Sequence, residues 1–383
     1  MFQQRRVSEI IDVQPRRNKF KTNEYFPTGR IPIIDQGSEF IAGFTDESQR
    51  AYDGELPVIV FGDHTCCLKF VDFAFAVGAD GTQLLRPADG IDARYLYYAL
   101  KTAELEQFGY QRHFKLLKDC QVSVPPFEIQ RRIASILGAY DDLIQVNLRR
   151  IAVLEDMATR LFENHVIKQI EMLPPPHGGQ GSSRLPANWQ IALLGDISDI
   201  IMGQSPPSTQ LNKLGEGFPF HQGVTDFGAL FPHSRVYCTP SNKKKLAEAG
   251  DLLFSVRAPV GRINLATEPV VLGRGIASIR SKIGSSFFLA AHLRATFHSP
   301  DLIGNGAIYK AVGRDDIERV PIALPPVELR EKIDALIRPI YEVLWALHRS
   351  NNALAVSRDL FLPRLISGQL SISAAHPCLE EAA

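Results

Sequence analysis

Few side chains in this sequence stand at spacings that could carry covalent chemistry, and each such string lacks a required part. Ser205-Pro-Pro-Ser208 and Val124-Pro-Pro-Phe127 come near a polar-Pro-Pro-aromatic pattern. That pattern methylates an amino group by stacking an extruded base on the aromatic ring while the polar residue holds the amino group. The first string has no aromatic and the second no polar residue. His64-Thr-Cys66-Cys67 is too compact for a zinc site and has no further ligands nearby. Cys120, Cys238 and Cys378 add no CxxC pair. No GxxxxGK[ST] phosphate loop exists, and no glycine-rich cofactor loop clearly follows a strand. The expectation is no catalytic residue, no metal and no cofactor bound by this chain.

What remains is non-covalent recognition. Lysine and arginine neutralise phosphates, whereas Arg, Lys, Asn and Gln read base edges in the major groove. The densest basic stretch is 14–21, with Arg16, Arg17, Lys19 and Lys21. Arg112 and Lys115 form a second group. Farther along come Gln204, then Lys243, Lys244 and Lys245, then Arg257, Arg262 and Arg274. These are the candidate contact residues, and a nucleic acid is the ligand whose chemistry such side chains would suit. For each charged run a solvated surface is the competing reading, and Arg274, between two glycines, could equally pair with a buried acid. His64 and His113 read as structural hydrogen-bonders rather than base readers.

The elements that must position these residues come in duplicate. Val122-Ser-Val-Pro-Pro-Phe-Glu-Ile matches Ile322-Ala-Leu-Pro-Pro-Val-Glu-Leu at an offset of 200, and the match continues ungapped for over 40 residues. A proline pair suits a helix start and not its interior. Beyond the first pair, Ile133, Leu137, Tyr140, Ile144, Asn147, Ile151, Leu154, Ala158 and Leu161 alternate spacings of four and three. Beyond the second, Ile333, Ile337, Ile340, Leu344, Leu347, Asn351, Leu354, Arg358 and Phe361 do the same. Such a seam predicts two long helices of a coiled coil, each ~60 Å long. Antiparallel pairing would place a module at each end of a rod. Asn147 and Asn351 fall at unlike heptad letters, which predicts that they face each other near the rod centre and pin the register. Pro339 is expected to bend the second helix, and Pro363 to bend or end it.

The duplication extends weakly into the modules. Val7-Ser-Glu-Ile-Ile resembles Ile197-Ser-Asp-Ile-Ile, Gln36-Gly37 resembles Gln222-Gly223, and Gly54-Glu-Leu56 resembles Gly250-Asp-Leu252. Segments 56–61, 252–256 and 269–272 read as buried strands, and 93–106 and 286–296 as helices. The fold class is therefore α+β: two globular modules separated by two long antiparallel helices in a pseudo-two-fold duplication. The expected divisions are module one at 1–124, helix one at 125–171, a linker at 172–184, module two at 185–324, helix two at 325–366 and a tail at 367–383. The tail either returns to module one or frays.

Composition narrows the class further. Lys plus Arg and Asp plus Glu are 42 each, so any nucleic-acid face must arise from local charge. An odd number of scattered cysteines fits a reducing compartment. No run approaches the ~20 apolar residues of a membrane span. A cytoplasmic protein without membrane contact is expected.

The residues in view resemble the specificity subunits of Type I restriction–modification systems. Val124-Pro-Pro-Phe-Glu-Ile-Gln130-Arg-Arg-Ile-Ala-Ser-Ile-Leu is similar to the start of that family's conserved helix. Leu185-Pro-Ala-Asn-Trp189, Gly250–Arg257 and Gly273-Arg-Gly-Ile-Ala277 resemble segments of its target recognition domains. So do Phe61-Gly-Asp-His-Thr65, Gly78-Ala-Asp-Gly81 and Arg112-His-Phe-Lys115, while Leu362-Pro-Arg-Leu-Ile-Ser-Gly368 resembles its C-terminus. The short N-terminus, Leu-Pro-Pro-Val at the second helix start and Arg358 on the seam depart from the pattern. The resemblance implies that each recognition domain reads one half of a split double-stranded DNA target and that the helices set the spacer. It also implies two methylation subunits using S-adenosylmethionine, and restriction subunits using ATP and Mg. A two-module scaffold for protein targets, or a solitary DNA methyltransferase, are the alternatives.

Overall fold

The computed structural model describes residues 2–15, 18–103, 113–170, 185–228, 230–239, 245–297 and 311–370. The chain divides into two compact units, 1–146 with 351–383 and 147–350. Among the described residues, four helices have eight residues or more: α1 (Ala93–Lys101), α2 (Phe127–His165), α3 (Ser286–Phe297) and α4 (Val327–Ile366). Each long helix contributes one part to each unit.

In the first unit the central sheet is antiparallel, in the order Ile11–Gln14, Thr82–Pro87, Val58–Gly62, Leu68–Val71. A smaller sheet orders Gly43–Thr45, Ile31–Ile34 and Ala76–Val77, the last two parallel. Gln3–Arg6 pairs antiparallel with Gln121–Val124 and ties the start of the module to the strand feeding α2. The second unit repeats the plan. Its four-stranded sheet orders Ser198–Met202, Ile276–Ser281, Leu252–Ser255 and Ile263–Leu265. Phe218–His221 runs parallel to Val270–Leu272, and Gln190–Leu193 pairs with Pro321–Leu324.

The seam residues form the floor of both cores. In the first unit Ile133, Leu137 and Tyr140 of α2 bury with Leu354, Leu362 and Leu365 of α4, beneath Tyr95, Leu96 and Ala99 of α1. In the second, Ala158 and Phe162 bury with Ile333, Ile337, Ile340 and Leu344, beneath Phe288 and Leu293 of α3. Early α2 residues meet late α4 residues in one unit, and late α2 residues meet early α4 residues in the other, so the helices are antiparallel. Each such Ile or Leu contributes ~1.5–3 kcal/mol by leaving water. Asn147 is buried and Asn351 half-buried.

Arg358, the charged residue on the seam, has defined partners. Its Nη1 donates to Asp141 Oδ1 and its Nη2 to Asp359 Oδ1, while the Tyr98 hydroxyl donates to Asp141 Oδ2. Burial works to lower the Arg358 pKa, but these carboxylates more than offset it and hold it above its ordinary value.

The helix caps differ between the units. Asp92 caps α1 locally, accepting from Tyr95 N at 2.8 Å, while buried Gln130 of α2 accepts from Asp92 N at 2.9 Å and donates to Pro125 O at 2.9 Å. In the second unit the cap comes from α4: Asp334 Oδ1 accepts from Phe287 N and Phe288 N, both at 3.1 Å.

Several expectations need correction. Helix α1 ends at Lys101, short of residue 106, because Thr102 Oγ1 and N both donate to Ala99 O, at 2.7 and 3.1 Å. Pro363 does not end α4, which continues to Ile366; Ser367 N still donates to Pro363 O at 3.0 Å. The tail turns back as far as Leu370, whose side chain packs on the first unit's core, and Gly368 lies against the Phe2 ring.

Candidate nucleic-acid interface

In the second unit three loops converge where the parallel strand pair ends. Gly273 N donates to His221 O at 2.8 Å, Gly275 N to Gln222 O at 3.1 Å and Val256 N to Gly275 O at 3.0 Å. Glycine is required here by proximity. A Cβ on Gly273 would stand 2.7 Å from Gln222 Cα, and one on Gly275 2.5 Å from Gln222 O. A fourth loop joins them: Gln204 N donates to Leu272 O at 2.9 Å, and Ser205 Oγ donates to Gln222 Oε1 at 2.9 Å while accepting from Arg274 N at 3.4 Å. The result is a cleft of about 310 Å³ lined by Gln222, Gly223, Thr225, Arg257, Arg274 and Gly275.

Arg257 and Arg274 are both exposed at this cleft. The buried acid considered for Arg274 does not hold it, since no ion pair of Arg257, Arg262 or Arg274 occurs among the described residues. The buried acid of this module, Asp251, is taken instead by Arg280. Arg280 Nε and Nη2 donate to its two oxygens at 2.8 Å each, with Ser278 Oγ and Glu248 N adding donors at 2.8 Å.

The first unit builds the same frame. Gly78 N donates to Ile34 O at 2.9 Å, as Gly273 does to His221. Asp63 N donates to Gly81 O at 2.7 Å, as Val256 does to Gly275, and His113 N to Asp63 O at 2.8 Å, as Val312 does to Val256. These bonds match in order, with one more residue between Gly78 and Gly81 than between Gly273 and Gly275, and they correct the Gln36–Gln222 pairing. Ile34 pairs with Val77 and His221 with Leu272, so Asp35 stands where Gln222 does, and Gln36 where Gly223 does. Gln36 latches the loops: its Nε2 donates to Asp80 O at 2.7 Å and its Oε1 accepts from His64 N at 3.3 Å.

The basic candidates divide accordingly. Arg16, Arg17, Arg112, Lys243 and Lys244 lie outside the described residues. Lys19 Nζ is 2.8 Å from Asp80, whose side chain is fully exposed. Lys21 is exposed beside it, and its backbone N donates to Glu24. Lys115 is exposed on a segment fastened to Asp63 through Phe114 N at 2.8 Å. Gln204 and Arg262 are exposed, Lys245 half-buried. Arg262 sits on the turn closed by its own N donating to Ser255 Oγ at 2.8 Å, and it does not line the cleft. His113 is buried, its Nδ1 3.1 Å from Asp63 O, a structural position.

Sequence reasoning missed two positioning cations. Arg50 lies 3.6 Å over the Phe20 ring and its Nη2 donates to Lys19 O at 2.8 Å, fixing the basic loop from beneath. Lys69 is buried, and its Nζ donates to Asp35 O at 2.8 Å and to Glu39 O. Burial lowers its pKa and the Asp35 charge opposes that shift. A lysine inside the strand Leu68–Val71 was the available signal for it.

Two α+β modules of one design, each seated on a stretch of paired long helices, define a class of duplicated recognition protein. The Type I restriction modification DNA specificity domain matches residues 1–156 and again 186–353, and the chain belongs to that family. A putative Type I restriction enzyme MjaX specificity subunit from Methanocaldococcus jannaschii is 32% identical over 67% of this chain and 60% of its own length. This chain thus spans less than two thirds of that relative. The MjaIX specificity subunit from the same organism is 24% identical over 76% of this chain and 72% of its own. Among solved structures, an S subunit of a Type I restriction–modification system from M. genitalium superposes with a TM-score of 0.57 at 15% identity, covering 96% of each chain. That likeness concerns the fold.

Proposed function

We propose that this chain is the DNA-reading subunit of a Type I restriction–modification complex, with each module reading one half of a split double-stranded target. The observation that carries it is the duplicated loop frame, which offers matching backbone bonds twice with different side chains: exposed Arg257 and Arg274 in one copy, half-buried His64 and exposed Asp80 in the other. A scaffold for one symmetric partner would keep the two sets alike. A reader of two unlike half-sites needs them different.

On this reading the chain supplies no chemistry. Among the described residues no three His, Cys, Asp or Glu side chains gather as a metal site, and no helix is long and apolar enough to cross a membrane. S-adenosylmethionine, ATP and Mg act on partner subunits: two methylation subunits and the restriction subunits. Exposed apolar side chains on the long helices, Val153 and Met157 of α2 and Val356 and Leu360 of α4, support a protein partner there. The cytoplasm is the setting that places the complex beside DNA.

The helices act as the ruler between half-sites, with Asn147 and Asn351 pinning their register. Helices of 39 and 40 residues are ~60 Å long, against a B-DNA turn of ~34 Å. Methylome sequencing of a host carrying the chain and its partners returns both half-sites and the spacer. Deleting a matched heptad from α2 and α4 shortens the spacer; an unchanged spacer refutes the ruler.

A further inference from the structure

We infer that the paired positions Arg257/His64 and Arg274/Asp80 determine base specificity, with the second module reading guanine and the first reading the amino group of cytosine. This inference rests on the DNA-reading function proposed above. Arg257 and His64 correspond because each directly follows the residue whose N donates to the closing glycine, Val256 to Gly275 and Asp63 to Gly81; Arg274 and Asp80 correspond because each directly precedes that glycine. The turn between the two frame glycines is one residue longer in the first unit, Gly78–Gly81 against Gly273–Gly275, so Ala79 and Asp80 together stand where Arg274 does. The frame is closed by glycines and backbone hydrogen bonds, so it tolerates different side chains at its two display positions.

The chemistry then differs by module. Arg257 and Arg274 offer donors only, and both are exposed at one cleft. The base edge with two acceptors side by side in the major groove is guanine, through O6 and N7. In the first module His64 brings a ring with one donor and one acceptor in its neutral form. Asp80 brings an exposed carboxylate with Lys19 at 2.8 Å. A carboxylate accepts from the N4 amino group of cytosine. Lys19 offsets the repulsion between that carboxylate and the phosphates. Gln36, with both ends of its amide bonded to the loops that carry Asp80 and His64, is a positioning residue. His64 is half-buried with its Nδ1 out of solvent, so the exposed reading group of the first module is the Asp80 carboxylate, and His113 stays structural.

The test is selection of bound sequences from a randomised duplex pool by the chain in complex with its methylation subunits. The variants are Arg257→Lys with Arg274→Lys, and Asp80→Asn. Lysine keeps the charge that a phosphate contact needs and removes the flat fork that pairs with guanine. The lysine pair should relax guanine in the second module's half-site by roughly ten- to hundred-fold and leave the first half-site and the spacer unchanged. Asp80→Asn should relax cytosine in the first half-site alone. An unaltered second half-site in the lysine variant overturns the inference, as does simultaneous loss of selection in both halves, because the exposed arginines would then not act locally. If the unmodified complex selects no split site at all, the underlying function fails instead.

Discussion

Replacing Arg358 by leucine tests how a charge is held on an apolar helix seam. The side chains of Arg358 and Asp141 are 16% and 22% exposed, so the pair is mostly withdrawn from water. Leucine at 358 restores the apolar pattern but leaves Asp141 with the Tyr98 hydroxyl as its remaining donor among the described residues. Breaking a fully buried pair costs ~3–5 kcal/mol, and a hydrogen bond to a charged group ~1.5–3 kcal/mol. Partial exposure places this site near the lower range, at ~2 kcal/mol, which for a unit of this size lowers its melting temperature by ~4–8 °C. Replacing both partners, Arg358→Leu with Asp141→Leu, removes the stranded charge and should recover most of the loss. Scanning calorimetry of the four chains of the double-mutant cycle, at one salt concentration, measures the coupling. A coupling below ~0.5 kcal/mol, or a single leucine variant as stable as the unmodified protein, would refute the argument that the seam is held here by a desolvated ion pair.

Three further outcomes follow from the same kind of reasoning. Asp251→Ala strands Arg280 and removes the acceptor for Ser278 and Glu248 N, so the second unit should lose ~2–4 kcal/mol in denaturant unfolding; a loss under ~1 kcal/mol would mean that water replaces the carboxylate. Burial pushes His292 down to about 4, and burial with the His233 charge does the same to His221 and His348. Their unfolded forms take protons first, so stability is present above pH ~6.5 and drains as pH falls toward 4, by ~2 kcal/mol per residue at pH 5; equal melting at pH 7.5 and 5 contradicts this. Arg16→Ala with Arg17→Ala should weaken DNA binding and shrink the slope of log affinity against log salt, because fewer counterions are released; an unchanged slope removes that loop from the contact surface.

The heptad seam was legible because helical burial is a local, periodic demand. Ile133, Leu137 and Tyr140 face the core at the spacing that one side of a helix requires. The duplication was legible for the same reason in its second half, where Phe127 and Val327 keep a constant offset of 200. Toward the N-terminus the offset drifts, to 194 at Thr82 and Ile276 and 187 at Gln3 and Gln190. Insertions between strands cause this, and they hid which loop residues correspond.

Sequence alone therefore determined the α+β duplication, the two long helices and the kinds of side chain available to a recognition surface. Tertiary structure decided which of those side chains share a site. Arg257 and Arg274 meet because loops from different strands are stitched together by Gly273, Gly275 and Gln222, and Asp80 answers to Arg274 because each directly precedes the glycine whose carbonyl accepts from the neighbouring loop, Gly81 from Asp63 N and Gly275 from Val256 N. Such bonds join backbone atoms and glycines, which leave little mark of spacing or charge. The same holds for Arg358: its partner Asp141 lies 217 residues away, and only the antiparallel docking of the helices within that unit brings the two charges together.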